Sequence, residues 1–128
     1  MALALGTLGQ IALNVSDVDR SEAFYAGTLG IRKLFRFGDL AFFDCGTTRL
    51  LLEKGDPAKV GRGAVLYFRC ADLVLMRREL QSRGVQFTDE PHLIAAMEDH
   101  DLWMTFFADP DGHQVALMME APKGYRPE

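Results

Sequence analysis

Polar and apolar residues alternate over "GQIALNV", with Ile11, Leu13 and Val15 on one side and Gln10, Ala12 and Asn14 on the other. That is the period of a half-buried strand. In "SDVDRSEAFYAGTLG" the spacing becomes helical through Val18, Phe24, Tyr25 and Leu29; Ser16 or Asp17 can accept from the free first-turn amides, and Gly30 supplies a stop. Three strand-length segments follow, "IRKLFRF", "LAFFDCG" and "TRLLLEKG", punctuated by Gly38-Asp39 and Gly46.

"GDPAKVGRG" alone has linker composition, and after it the order begins again. "AVLYFRC" reads as a strand. "ADLVLMRRELQSRG" reads as a helix with Leu73, Met76 and Leu80 on its apolar face, Gly84 as its cap and Glu79 four residues from Arg83 on its wet face. Next come "VQFTD", a turn at Glu90-Pro91, an ambiguous "HLIAAMEDH", and the strands "LWMTFFAD" and "HQVALMME" around an Asp-Pro-Asp-Gly turn. Each half sets paired phenylalanines, Phe42-Phe43 and Phe106-Phe107, before a glycine turn and a final apolar strand. The pattern predicts an α+β fold in a single domain over residues 1–128, with βαβββ modules at 8–55 and 62–121. The tail at 122–128 is expected on the surface or mobile.

Composition narrows the partners. At 128 residues and 48% hydrophobic content, the chain can bury one core. Its net charge is −4 and its basic residues are scattered, so no footprint for nucleic acid is visible. Apolar runs fall short of a bilayer span, and no basic segment followed by an apolar one opens the chain. Cys45 and Cys70 lack CxxC or metal-finger spacing and read as buried reduced thiols. The expectation is a cytoplasmic protein with no membrane or nucleic-acid partner.

With the repeat order, "IALNVSDVDRSEAFYAGTLG", "RRELQSRGVQF" and "FFADPDGHQVALM" resemble the vicinal oxygen chelate superfamily, the glyoxalase, bleomycin-resistance and ring-cleaving dioxygenase group. The likeness covers about residues 8 to 121. It implies curved mixed sheets around a cleft and a homodimer that covers exposed sheet faces. Metal-dependent members place four ligands toward that cleft, one on the first and one on the last strand of each module. Carried over, these positions fall on Gln10, on Glu53 or Leu51, on Val65 and on Ala116. Alkyl side chains hold no lone pairs, so no metal site of the usual kind is expected. A divalent cation bound through other donors such as His92 is the disfavoured alternative.

Strand parity turns Gln10, Asn14, Glu53, Tyr67, Arg69, Gln114 and Met118 toward the cleft with Ala12, Leu51, Val65 and Ala116, a mixture suited to a small-molecule pocket. Trp103 either adds an aromatic wall or packs in the core; core packing is the stronger reading for Phe107. The candidate catalytic residues are Glu53, a base if enclosed, and His92, whose imidazole can act as acid, base or hydrogen-bond donor; the bland reading of His92 is a turn cap. His100 reads as a solvated loop residue and His113 as a turn or surface residue. Preferred is a metal-free binder of a small molecule in the cleft. The alternative is a glyoxalase-like lyase, isomerase or dioxygenase using a metal or a His/Glu pair. A regulatory module without either activity is third, disfavoured by the polar groups of the lining.

Overall fold

Strand β1 (Gln10–Val15) buries Leu13 and Val15 and exposes Gln10 and Ala12, as its alternation requires. The Asp17 carboxylate accepts from the Arg20 amide at 3.1 Å and starts helix α1 (Val18–Glu22), which runs on as a π-helix over Ala23–Thr28. Phe24 and Leu29 stand five residues apart, and the Leu29 amide donates to the Phe24 carbonyl, which is the π spacing. Gly30 then turns the chain at φ 76°, where a β-carbon would be strained. β2 (Lys33–Phe37), β3 (Leu40–Cys45) and β4 (Thr48–Lys54) complete the first sheet in the order β1-β4-β3-β2, with β1 parallel to β4 and the other pairs antiparallel.

The second half repeats this order. β5 (Leu66–Arg69), helix α2 (Leu73–Ser82), β6 (His92–Ala96), β7 (Asp101–Ala108) and β8 (Gln114–Ala121) form a sheet ordered β5-β8-β7-β6, again with one parallel pair at its β5 edge. The structure, a computed structural model, describes residues 3–127. Two compact units, Met1–Gly63 and Ala64–Glu128, correspond to the two modules, and the division falls in the Gly-rich linker. The fold is therefore α+β, with two open four-stranded mixed sheets. Among the described residues no helix is long and apolar enough to cross a membrane.

Within each module the helix packs on one sheet face. In module one that face carries Leu13, Val15, Ala41, Phe43, Leu50 and Leu52, all buried. In module two it carries Leu66, Trp103, Phe107, Val115 and Leu117 under Leu73 and Leu80. Fully burying a phenylalanine such as Phe43 or Phe107 contributes about 2–3 kcal/mol.

Several expectations are corrected here. "VQFTD" makes only an isolated bridge, Phe87 to Phe107, and the edge strand is instead built from the ambiguous "HLIAA". On α2, Met76 is exposed and Arg77 takes the inward position between Leu73 and Leu80, its guanidinium over the Phe87 ring at 5.0 Å. A periodicity that counts arginine as polar misses this, because its methylene stem packs like an alkyl chain. The tail lies at the surface, one of the two placements expected for it, and is tied down through residue 125. Lys123 Nζ donates to Asp101 at 2.7 Å and to the Met97 carbonyl at 2.8 Å, the Gly124 amide donates to Asp101, and Tyr125 packs edge-on against Trp103. Residue 128 lies outside the described residues. Cys45 and Cys70 are unpaired and half-buried rather than buried. Burial, helped by Asp72, still pushes the Cys70 thiol up to about 11, so it stays protonated at neutral pH.

Candidate functional site

The sheet faces turned away from the helices carry the candidate chemistry, and strand register fixes their layout in rows. In module one, Ala12 lies beside Leu51, Leu51 beside Phe42 and Phe42 beside Phe35. Phe35 and Phe42 stack at 4.4 Å, and the Arg49 guanidinium sits 5.7 Å from the Phe42 ring. One flanking row runs Gln10, Arg49, Asp44; the other runs Asn14, Glu53, Leu40, Phe37. Gln10, Asn14 and Glu53 therefore share this face, as alternation requires. Asn14 is pressed against Gly55, where an added β-carbon would overlap its Oδ1. Glu53 is half-buried between Asn14 and Leu40.

Module two presents the row Tyr67, Ala116, Phe106 and beside it Arg69, Met118, Met104, His92. Tyr67 and Phe106 meet edge to face at 6.2 Å, flanking a fully buried Ala116, and the His92 ring lies nearly parallel to Phe106 at 6.2 Å. Tyr67 is half exposed. Arg69 donates to Glu120 at 2.6 Å, and Gln114 stands exposed at the start of β8. Tyr67, Arg69, His92, Gln114 and Met118 thus share one sheet face, with Arg69 and His92 on its opposite edge strands. Trp103 is not on that face. It pairs with Met119, whose sulfur accepts from the Leu73 amide at the start of α2, so its 7%-exposed side chain belongs to the helix-covered face. Its even spacing from the core residue Phe107 already carried that signal. The rings that meet on the helix-free face are those of Tyr67, Phe106 and His92.

The residue that sequence reasoning missed is Asp89. Its Oδ1 accepts from Thr105 Oγ1 at 2.8 Å and from the Phe106 amide at 2.9 Å, and its Oδ2 lies 3.6 Å from His92 Nδ1. His92 Nδ1 also contacts the Glu90 carbonyl at 3.0 Å. Arg77 pins this segment to α2, donating to the Asp89 carbonyl at 2.8 Å and standing 3.5 Å from Glu90. An aspartate three residues before a histidine, across a proline turn, was the available clue.

The turn before β8 also corrects an expectation, because His113 is a core residue. His113 and Asp109 have side chains with no exposure and are joined at 2.7 Å, while Asp109 Oδ1 accepts from the amides of Asp111 and His113. Parity with Val115 and Leu117 points His113 to the covered side. The Asp-Pro-Asp-Gly segment is a hairpin locked from within. His100 contacts Asp99 at 2.8 Å, and this bond holds the Asp99 carboxyl below its ordinary range.

Register settles which last-strand residues correspond across the repeat. Phe42 pairs with Leu51 as Phe106 pairs with Ala116, and Leu40 pairs with Glu53 as Met104 pairs with Met118. Leu51 thus answers to Ala116, and Glu53 to Met118. Either choice leaves an alkyl or thioether group on β8, which does not fit a hard or borderline divalent ion. Among the described residues no three His, Cys, Asp or Glu side chains gather to hold a metal. Concavities of about 300 and 320 Å³ lie beside α2, lined in part by Val74 and Arg78, and not on the face that carries the aromatic row.

Two βαβββ modules, each with a helix on one face and a mixed aromatic and polar row on the other, define the class of protein. A sequence profile for the Glyoxalase/Bleomycin resistance protein/Dioxygenase superfamily matches residues 7–117, and the chain belongs to that superfamily. Its fold is similar to lactoylglutathione lyase from Agrobacterium tumefaciens, at 20% identity and TM-score 0.72 over 94% of this chain and 98% of that one. It is also similar to TnmS3, an antibiotic-binding protein from a Streptomyces species, at 23% identity and TM-score 0.75 over 94% and 100%. An integron cassette protein from V. cholerae matches at 18% identity and TM-score 0.77 over 94% and 100%. No curated protein matches the chain.

Proposed function

We propose that this protein binds a small, flat, largely apolar molecule on the helix-free face of its second module, without a divalent ion. The observation that carries the reading is the Tyr67-Ala116-Phe106 row with His92 beside it. Ala116 puts a buried methyl where a metalloenzyme would present a carboxylate, and the rings on either side of it offer stacking surface. Arg69 and Gln114 stand on the same face and would orient polar groups of the ligand, and the Met118 thioether would add apolar contact. TnmS3, an antibiotic-binding protein, shares the fold and supports binding as a use for it.

Planar aromatic compounds are expected to raise the melting temperature, since a ligand that binds only the native state stabilises it by mass action. Phe106→Ala is expected to remove that shift, and a panel without any stabilising compound overturns the reading. Calorimetric titration with Zn²⁺, Ni²⁺ and Mn²⁺ is expected to show no micromolar one-to-one binding. Such binding, lost on Gln10→Ala, would overturn the ion-free part. The second reading, an enzyme with Glu53 or His92 as base, draws on the buttressing of His92 by Asp89. Formation of lactoylglutathione from methylglyoxal and glutathione with added Ni²⁺ or Zn²⁺ would establish it, as the fold shared with lactoylglutathione lyase makes that reaction the first to try.

A further inference from the structure

The surroundings of His92 narrow the ligand class further. A carbonyl oxygen only accepts hydrogen bonds, so the Glu90 carbonyl, 3.0 Å from His92 Nδ1, requires the proton at Nδ1. The neutral ring then carries its lone pair at Nε2. Asp89 Oδ2 draws on the same Nδ1 from 3.6 Å. Asp89 is itself fixed by Thr105 and by the amide of Phe106, the residue whose ring faces the imidazole. Arg77 holds the segment from the other side through the Asp89 carbonyl and the Glu90 carboxylate. A half-exposed histidine whose ring is clamped at one nitrogen presents the other in a fixed direction.

We propose that His92 Nε2 is a preorganised hydrogen-bond acceptor that selects flat aromatic ligands bearing an O–H or N–H donor, with Asp89 as its positioning residue. This rests on the reading of the second-module face as an aromatic-binding surface and adds the polarity of the group that the ligand brings. A ligand of equal shape without the donor leaves Nε2 desolvated and unpaired, which is the source of discrimination.

Two probes of one ring system separate the claims: 2-naphthol, which carries a donor, and 2-methoxynaphthalene, which does not. Affinities measured by fluorescence at about pH 8.5 are expected to favour 2-naphthol by about tenfold. His92→Phe is expected to bring the ratio to about one, and Asp89→Asn to lower it partway. Equal binding of both probes to the unaltered protein would overturn the acceptor role and leave the aromatic-binding reading standing. Binding of neither would remove both. Long-range proton-nitrogen NMR of the unliganded protein gives an independent check, and a His92 ring protonated at Nε2 rather than Nδ1 would sink the proposal.

Discussion

The two modules share strand order and register and differ in what fills equivalent places. The Phe42-Phe43 pair answers to Phe106-Phe107, and Phe37, opposite Leu40, answers to His92, opposite Met104. Ala12 becomes Tyr67, Asn14 becomes Arg69, Leu51 becomes Ala116 and Glu53 becomes Met118. The first module keeps its carboxylate on the last strand and puts bare phenylalanines on the outer one. The second has Ala116 and Met118 at the matching last-strand places, its carboxylate Glu120 farther along and paired with Arg69, and a held imidazole on the outer strand. On the helix-covered faces Leu52 answers to Leu117 and Phe43 to Phe107, and the equivalent places stay mostly apolar, whereas the helix-free faces exchange polar, aromatic and alkyl groups.

Their turns differ in the same sense. Module one links β3 to β4 through Gly46 and Thr47, with Gly46 at φ 78° and its amide donating to Asp44 at 3.0 Å. Module two uses five residues, 109–113, closed on the buried Asp109-His113 pair.

The largest effect should test the covered faces. Phe43→Ala and Phe107→Ala are each expected to cost about 3–5 kcal/mol in urea unfolding, and Phe42→Ala and Phe106→Ala clearly less. Similar losses for all four would break the assignment of faces. Next is the turn. Asp109→Ala strips partners from two amides and a buried imidazole and is expected to cost about 3 kcal/mol, whereas Asp44→Ala should cost about 1 kcal/mol or less. Equal costs would mean that both turns are closed alike.

Gly55→Ala comes third, at about 1–2 kcal/mol, because its β-carbon meets Asn14 Oδ1. Gly124→Ala, which would have no heavy atom within 4 Å of its β-carbon but sits at φ 86°, separates backbone strain from that overlap. The smallest effect is acid sensitivity at the second module's tail. The hydrogen bond from Lys123, followed by that from the Gly124 amide, holds the Asp101 carboxyl below its ordinary value of 3.8. A depressed carboxyl stabilises the fold fully above that value and loses the contribution as pH falls through the folded-state value. Melting curves from pH 7 to about pH 3 should therefore drop further for the unaltered protein than for Lys123→Ala. Parallel curves would mean that the tail clamp carries no linkage.

Much of the architecture was legible because its causes are local. Alternation over "GQIALNV" and "HQVALMME" sets which side chains share a face, glycines mark the turns, and the recurrence of paired phenylalanines exposes the duplication. The candidate lining residues Gln10, Asn14, Glu53, Tyr67, Arg69, Gln114 and Met118 followed from that parity, and each stands on a helix-free face. Trp103, left open between wall and core, and His113, read as a turn or surface residue, were both legible by the same rule.

What only the tertiary structure decided depends on neighbours remote in sequence. Pairing Leu51 with Ala116 needed the register of β4 on β3 and of β8 on β7, since parity along one strand cannot separate positions two residues apart. The inward Arg77 needed Phe87, and the fixed imidazole of His92 needed Thr105 and the Phe106 amide to hold the neighbouring Asp89 in place. Periodicity specifies a side, whereas hydrogen-bond partners and burial are properties of the packed chain.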